Sequence, residues 1–389
     1  MLITRTLQKF AIQNLKQYPV ITITGPRQSG KTTLARMAFP EKTYVNLEDM
    51  ESRSFAIDDP KGFLKKHHSG AIIDEFQNAP ELASYIQVHV DESRRKGLFC
   101  LTGSRQFEVM NLASQSLAGR TAMLRLLPFT FSELSHSTKK RHSDEFLFSG
   151  FYPRIYSDRL DPARAMEDYI TTYLERDLRT LSAIQDLHLF QKFMKLLAGR
   201  IGQILNVSSL ASDCGASHTI ITRWISLLET SYIIFLLQPY HGNISKRLIK
   251  SPKVFFFDTG LAAHLLGIEK REHLEPHPLR GNLFENMVIA DILKERFHHG
   301  LRNNCYFYRD SKGNEIDLCY ETGHRLIIVE IKSGATITSE YMKGLNRFSG
   351  EFPHLVNNAF LVYNGDTRDT RSGITICGPD EIARRLINE

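Results

Sequence analysis

The sequence has few cysteines and nothing long enough or apolar enough to cross a membrane. The cysteines stand singly at Cys100, Cys214, Cys305, Cys319 and Cys377. Because they form no C-x-x-C pair and are odd in number, they argue against a disulfide framework or a zinc knuckle and favour a reducing compartment. The longest apolar run, 232–237, is far shorter than a membrane span, and the first residues are too polar for a secretory signal. We therefore expect a cytoplasmic protein that is not embedded in a membrane.

A strong net charge is also absent. Lysine and arginine total 49 against 43 acidic residues, which gives a net charge of +6. Such a mild basic bias permits contact with nucleic acid without demanding it. The histidine pairs at 67–68 and 298–299 have no metal-ligand partner at helical spacing, so we expect them to be solvated. A chain of 389 residues is long enough for two or three domains.

What the sequence does contain is a complete phosphate-binding pattern near its start. Residues 25–32 read GPRQSGKT and fill every fixed position of G-x-x-x-x-G-K-[ST]. The β-branched run at 20–24 predicts a strand before it, and 33–38 predicts a helix after it. In that setting backbone N–H groups and the helix N-terminus hold a polyphosphate, Lys31 reaches the β- and γ-phosphates, and Thr32 holds Mg²⁺. The predicted nucleotide-binding residues are Gly25, Pro26, Arg27, Gln28, Ser29, Gly30, Lys31, Thr32 and Thr33.

Paired acids close the next apolar segment, Ala71–Glu75. In nucleotide hydrolases of this type an aspartate at the end of a strand holds the Mg²⁺ shell, and Asp74 has that position. The adjacent Glu75 suits the general base that polarises the attacking water. The sequence therefore predicts hydrolysis of a nucleotide, with Mg²⁺ as the metal.

Two further segments resemble the AAA-type ATPases. An apolar run at 98–102 leads into Gly103 and Ser104, and the resemblance implies that Ser104, or else Thr102, senses the γ-phosphate. Arg120 follows in the segment LAGR at 117–120. It is a candidate finger toward a nucleotide in a neighbouring subunit, and an ordinary surface arginine is the alternative. The finger requires a homo-oligomer with sites near subunit interfaces, whereas a monomer would close its site from within.

The middle of the chain predicts helices followed by a winged helix-turn-helix. Helical spacing marks 161–200, and two short helices are predicted at 208–213 and 217–229, the second capped by Ser217. The residues expected on the outer face of the second helix are Thr219, Thr222, Arg223 and Ser226. Strands at 232–237 and 253–257 would form the wing, with Lys246, Arg247 and Lys250 between them as phosphate contacts. DNA is one candidate partner of this face, and packing or protein contact is the other.

The last third of the chain predicts a hairpin that carries acids and a lysine. Strands at 315–319 and 325–332 flank a turn at 322–324, and the period of two places Glu330 and Lys332 on one face. Together with Asp317, and with Glu285 from a preceding helix, they resemble the PD-(D/E)xK nuclease core. That resemblance implies Asp317 and Glu330 as Mg²⁺ ligands, Glu285 as an accessory ligand and Lys332 as the cation that positions water. The alternative is a solvated ion pair that contributes little.

The whole chain resembles the prokaryotic AAA-family ATPases that carry a C-terminal domain of unknown function numbered 4143. The resemblance rests on the phosphate loop, the IDE strand end, LTGS, LAGR, the segment KVFFFDTGL at 253–261 and the EIK tail at 330–332. It implies binding of ATP and Mg²⁺.

The predicted fold class is α/β. It comprises a P-loop AAA-type parallel-sheet ATPase core at 1–135, a helical lid or linker at 136–200, a winged helix-turn-helix at 201–278 and an α/β PD-(D/E)xK-like domain at 279–389. The predicted function is a Mg²⁺-dependent, ATP-hydrolysing switch or motor coupled to a DNA-facing C-terminal half. The alternative is an ATP-gated protein-interaction module whose nuclease-like domain is a non-catalytic scaffold.

Overall fold

The computed structural model describes residues 2–104, 106–135, 142–174, 186–241 and 249–389. The helices are α1 Thr6–Leu15, α2 Lys31–Ala38, α3 Met50–Asp58, α4 Pro60–Lys66, α5 Leu82–Ser93, α6 Gln106–Ser116, α7 Phe131–Ser135, α8 Ser143–Ser149, α9 Pro153–Ser157, α10 Pro162–Tyr169, α11 Leu187–Ala198, α12 Val207–Cys214, α13 His218–Thr230, α14 Thr259–Leu265, α15 Arg280–His298, α16 Lys343–Glu351 and α17 Pro379–Ile387. The strands are β1 Val20–Thr24, β2 Thr43–Asn46, β3 Ala71–Asp74, β4 Phe99–Thr102, β5 Thr121–Arg125, β6 Ile234–Pro239, β7 Lys253–Phe256, β8 Cys305–Arg309, β9 Glu315–Thr322, β10 Arg325–Lys332, β11 Val356–Tyr363, β12 Asp369–Arg371 and β13 Ile374–Cys377.

The N-terminal sheet is parallel and has the order β2-β3-β4-β1-β5. Its strands are buried on both faces by separate hydrophobic clusters, as continuous apolar strands of a parallel sheet require. This confirms the predicted α/β class with a P-loop core. The apolar run at 125–129 also predicts a strand, but the last strand of this sheet, β5, ends at Arg125. Pro128 cannot donate to a ladder, and the apolar residues around it belong to the core that also contains residues of α15.

The helix-turn-helix forms with the predicted cap. Gly215 takes a left-handed conformation (φ 81°) at the end of α12, and the Ser217 hydroxyl accepts from the Ile220 N–H at the start of α13. The stripe that α13 buries is Ile221, Trp224, Ile225 and Leu228. Ile220 is exposed, although its helical spacing from Trp224 predicts that it belongs to the same stripe. Ile220 directly precedes Ile221 at the edge of the buried stripe, where its side chain reaches solvent.

The C-terminal sheet is mixed, in the order β12-β13-β11-β10-β9-β8-β6-β7. The predicted wing strands β6 and β7 do pair antiparallel. β6 also continues beside β8, with Gln238 opposite Tyr306, so the sheet crosses the predicted domain boundary at 278/279. One hydrophobic core likewise contains residues from 127 to 386. Lys246 and Arg247, the predicted wing cations, lie outside the described residues.

Helix α15 lies between the two sheets. It contacts α1 and β5 on the N-terminal side and β10 and α17 on the C-terminal side. Residues 286–298 of this helix are all buried, which is typical of a central helix and not of a surface one. His298 is therefore fully buried, and our expectation that it would be solvated is wrong.

The structure also bears on the cysteines and on the prediction about the membrane. All five cysteines lie within the described residues and are buried and free, in agreement with the absence of a disulfide framework. Across the ranges that the structure describes, we find no helix with the length and apolar character needed to pass through a bilayer.

Candidate functional site

The phosphate loop joins the end of β1 to the start of α2. A Cβ added at Gly25 would clash with the Leu126 carbonyl oxygen, and Gly25 has a φ of 153°. Gly30 also has positive φ, as does the non-glycine Gln28 at 61°. Left-handed conformations of this kind let successive N–H groups turn toward one concave side, as an anion-binding loop requires.

Lys31 is the first residue of α2 and lies over the loop. Its ammonium donates to the carbonyl oxygens of Gly25, at 2.8 Å, and Pro26, at 2.9 Å. The side chain is buried. The cation is therefore held at the centre of the loop, where it can neutralise phosphate charge.

Asp74 lies at the end of β3, and its carboxylate accepts hydrogen bonds from three hydroxyl groups beside the loop. Its Oδ2 accepts from the Thr32 hydroxyl at 2.6 Å and from the Tyr44 hydroxyl at 2.9 Å, and its Oδ1 accepts from the Thr102 hydroxyl. Burial, together with the Asp74 charge, raises the pKa of Tyr44, so Tyr44 stays a neutral donor. Thr32 and Asp74 thus present oxygen atoms side by side, the donors that Mg²⁺ prefers.

Glu75 follows Asp74 and turns toward the next strand end. It has a left-handed backbone, with φ of 53°, which is uncommon for a non-glycine residue and is frequent at functional sites. Its Oε2 accepts from the Ser104 hydroxyl at 2.8 Å, from the Ser104 N–H at 3.2 Å and from the Gln77 amide. Glu75 and Ser104 therefore form one polar pair at the carboxyl edge of the sheet.

These side chains open onto one cleft. It has a volume of about 330 Å³ and is lined by the loop residues 27–28 and 30–33, by Glu75 and Ser104, and by Pro153 and Arg154 of α9. The structure thus brings most of the predicted loop together with Glu75 and Ser104 at the cleft, and Asp74 is connected to it through the Thr32 hydroxyl. Arg154 was not expected at this site, because nothing in its local sequence marks it as facing a phosphate.

Arg120 lies elsewhere. Its carbonyl accepts from the Val20 N–H, at the amino end of β1, whereas the phosphate loop follows the carboxyl end. Five strand residues separate the two edges by about 13–16 Å. The guanidinium forms two hydrogen bonds of 2.7 Å with the Asp91 carboxylate, so within one chain it does not contact the cleft, and its role in a neighbouring subunit stays a prediction.

A second cluster of charges lies on the C-terminal sheet. Lys332 Nζ is 2.5 Å from Glu330 Oε1 and 3.6 Å from Asp317 Oδ2, and the Ile331 N–H donates to Asp317 at 2.8 Å. The structure therefore brings the three hairpin residues together, as period two predicted. Glu285 is part of the same electrostatic group, since its charge acts on Glu330.

A second lysine, which no sequence motif marks, belongs to this cluster. Lys253, the first residue of β7, lies 2.9 Å from Glu285 Oε1 and 2.6 Å from Glu315 Oε1. Burial, together with Asp317, raises the pKa of Glu285 to about 7 despite the opposing charge of Lys253. Burial and Asp317 also raise the pKa of Glu330 to about 8.

The predicted metal ligands of this cluster are paired with lysines in the structure. Across the described ranges, no three His, Cys, Asp or Glu side chains are arranged to hold a metal ion. Lys332 bridges the two hairpin carboxylates, and Lys253 bridges the other two, so ammonium groups stand where a shared cation would bind. The donor set is an ion-pair network.

The predicted outer face of α13 is exposed. Thr219, Thr222, Arg223 and Ser226 are all accessible to solvent. This agrees with a helix that buries one stripe and leaves the opposite face available for contact.

The parallel sheet, the phosphate loop and the acid-bearing strand define the class, a P-loop ATPase fold. Comparison with known families agrees. Residues 17–135 match the family described as AAA domain, residues 280–379 match the domain of unknown function DUF4143, and residues 140–272 match the domain of unknown function DUF8612.

Relatives extend the match along the chain. The uncharacterized protein Rv2008c of Mycobacterium tuberculosis is 32% identical over 327 residues, which cover 83% of this chain and 72% of that protein, and the uncharacterized protein Mb2031c of Mycobacterium bovis gives the same figures. The chain belongs to the family of AAA-domain ATPases with a C-terminal DUF4143 domain.

Similar solved structures are more distant. The Walker-type ATPase paby2304 of Pyrococcus abyssi is 13% identical with a TM-score of 0.43, over 67% of this chain and 94% of that one. The RuvB Holliday junction branch migration motor of Thermotoga maritima is 17% identical with a TM-score of 0.31, over 59% of this chain and 86% of that one.

Proposed function

We propose that this protein is a Mg²⁺-dependent ATPase that acts as a switch, in which the nucleotide at the phosphate loop controls what the C-terminal half binds. The observation that carries this proposal is Asp74, whose carboxylate holds the hydroxyls of Thr32 and Thr102. It joins the loop to the strand that presents Ser104 beside Glu75.

The roles follow from the geometry. The loop N–H groups and Lys31 would bind the β- and γ-phosphates. Thr32 and Asp74 would hold Mg²⁺, which supplies charge neutralisation at those phosphates. Glu75 would take a proton from water, and Ser104, bonded to Glu75, would report whether the γ-phosphate is present.

Release of inorganic phosphate from ATP tests this function. We expect turnover by the full chain with Mg²⁺, and none when EDTA removes the metal. A matched pair sharpens the result, because Glu75→Gln should bind ATP and hydrolyse it slowly, whereas the exposed Glu81→Gln should behave as wild type. Equal turnover in all three proteins would contradict the assignment.

For the C-terminal half we propose a non-catalytic binding role. Its acids are paired with Lys253 and Lys332, and the described acids do not converge on a metal. We therefore expect no cleavage of single- or double-stranded DNA with Mg²⁺ or Mn²⁺. Metal-dependent cleavage that Asp317→Ala abolishes would instead establish the nuclease activity that the resemblance implies.

DNA contact through α13 is a second candidate function. The exposed face with Thr219, Thr222 and Arg223 supports it. Binding of a labelled duplex should then weaken steeply with salt and weaken further in Arg223→Ala, with the exposed Lys343→Ala as the control. Duplex that neither binds nor changes ATP turnover would leave protein contact as the role of this face.

A further inference from the structure

Arg5 is a buried arginine that no motif marked. It precedes α1, and its guanidinium donates to the Ser29 carbonyl at 2.7 Å and the Leu127 carbonyl at 2.6 Å, while its Nε donates to Glu133 at 3.1 Å. It also stacks over the Phe129 ring at 4.7 Å. Burying a cation this completely is unfavourable unless its hydrogen bonds are satisfied, and here three directed bonds satisfy it.

The bond to Ser29 acts on the phosphate loop itself. Because a peptide unit is planar, fixing the Ser29 carbonyl also fixes the direction of the Gly30 N–H, one of the backbone donors in the pattern. Gly30 has a φ of 91° and little resistance to other conformations. Arg5 therefore supplies a constraint that the glycine lacks.

Glu133 continues the network away from the loop. Its carboxylate accepts from Arg5 and from the N–H groups of Thr6 and Thr130, and it lies 3.4 Å from His298 Nδ1. Burial alone raises the pKa of Glu133, but the Arg5 charge and the neighbouring His298 ring hold that pKa well below its usual range. The carboxylate thus stays charged.

His298 is the last residue of helix α15, and it connects Glu133 to that helix. Its Nε2 accepts from the Leu127 N–H at 3.1 Å, which places the ring proton on Nδ1, toward Glu133. The same face of α15 holds the segment after β5 through Asp291, which accepts from the Phe131 N–H, and Lys294, which donates to the Phe129 carbonyl.

We propose that Arg5 is a positioning residue for the phosphate loop, and that Glu133 and His298 link it to α15, so that the nucleotide state of the loop and the position of α15 are coupled. The proposal rests on the proposed function, and it identifies the buried network as the connection between the phosphate loop and α15. A buried polar network is costly when its hydrogen bonds are only partly satisfied. A movement of the Ser29 carbonyl therefore disfavours the present position of His298, and a movement of His298 disfavours the present position of that carbonyl. Coupling of this kind is reciprocal.

Titration of the full chain with a fluorescent ATP analogue in Mg²⁺ tests the coupling. We expect Arg5→Lys to weaken binding by about tenfold and His298→Ala by at least about fivefold, although His298 touches no part of the loop. Asn286→Ala is the matched control. It removes an equally buried side chain from the same helix, one that bonds only the Phe256 backbone, so it should lower thermal stability and leave affinity within about twofold.

The outcomes separate the two proposals. If wild type binds and both Arg5→Lys and His298→Ala bind as tightly as Asn286→Ala, the coupling is wrong and the ATPase assignment stands. If wild type itself does not bind, both are wrong.

Hydrogen exchange on the unmodified chain decides the matter should His298→Ala fail to fold. The nucleotide should slow exchange in 127–133 and 294–300 and leave the distant 369–377 unchanged. Protection confined to 25–33 would overturn the coupling.

Discussion

The phosphate-loop site and the C-terminal cluster both place lysine among carboxylates, but they distribute the charges differently. At the loop, Asp74 and Glu75 are hydrogen-bonded by hydroxyl and N–H groups, and Lys31 is held by carbonyl oxygens. In the cluster, the lysines bond the acids directly. A site that keeps its acids and its cation apart can act on an outside anion, whereas paired charges mainly stabilise the protein that contains them.

The largest effect should come from Lys31, because it is the cation held over the loop. We expect Lys31→Ala to lower ATP turnover by about 1,000-fold, about 4 kcal/mol. Phosphate release measured with saturating MgATP checks this, with the exposed Lys343→Ala as a control. Turnover within tenfold of wild type would contradict the role of Lys31.

Lys253 should matter for folding and not for hydrolysis. Lys253→Met leaves the largely buried Glu285 without its partner, whereas Glu315 keeps Arg309, so we expect the free energy of unfolding to fall by about 3–4 kcal/mol. Urea denaturation measures the loss. Lys343→Met, which breaks only an exposed ion pair, should lower stability far less. Equal losses would show that the cluster is not a structural network.

Glu75→Gln should separate binding from chemistry. Without a general base, turnover should fall by about 100-fold, while the affinity for ATP stays near that of wild type because the loop is unchanged. Single-turnover hydrolysis measures the rate of the chemical step, and equilibrium titration measures the affinity for ATP. Parallel losses in both would assign Glu75 to binding.

The cluster should also make stability depend on pH. The pKa of Glu330 is raised to about 8, so between about pH 4.5, its ordinary value, and pH 8 the folded state holds a proton that the unfolded state releases. Stability should therefore fall as pH rises through this window. Glu330→Gln should remove most of this fall, and the exposed Glu269→Gln should leave it unchanged. Identical slopes would contradict the raised pKa.

Arg120 should have the smallest effect. Its exposed pair with Asp91 contributes little to stability, and in dilute protein Arg120→Ala should hydrolyse ATP as wild type does. A loss that appears only at concentrations where sizing shows an oligomer would support the finger in a neighbouring subunit. A loss in a monomer would contradict the position of Arg120 at the far edge of the sheet.

The contrast also explains what could be predicted from sequence. The loop is contiguous, and Thr32 meets Asp74 because parallel strands end at one edge of the sheet. Period two likewise placed Asp317, Glu330 and Lys332 together. Lys253 was missed because it reaches the cluster only when β7 folds back against a helix and a strand that follow it in sequence.

Helix α15 shows a different limit. Its charged residues Asp291, Lys294, Glu295 and His298 recur at helical spacing, which is equally typical of a solvated face. They are buried because the segment after β5 presents its backbone polar groups to them. Such pairing depends on tertiary structure, and no local pattern distinguishes it.

Calorimetric titration of the full chain with ATP and excess Mg²⁺ tests the central claim most directly. We predict saturable binding at one site per chain, lost in Lys31→Ala. Absence of binding by correctly folded wild-type protein would contradict the assignment of the phosphate loop and, with it, the switch.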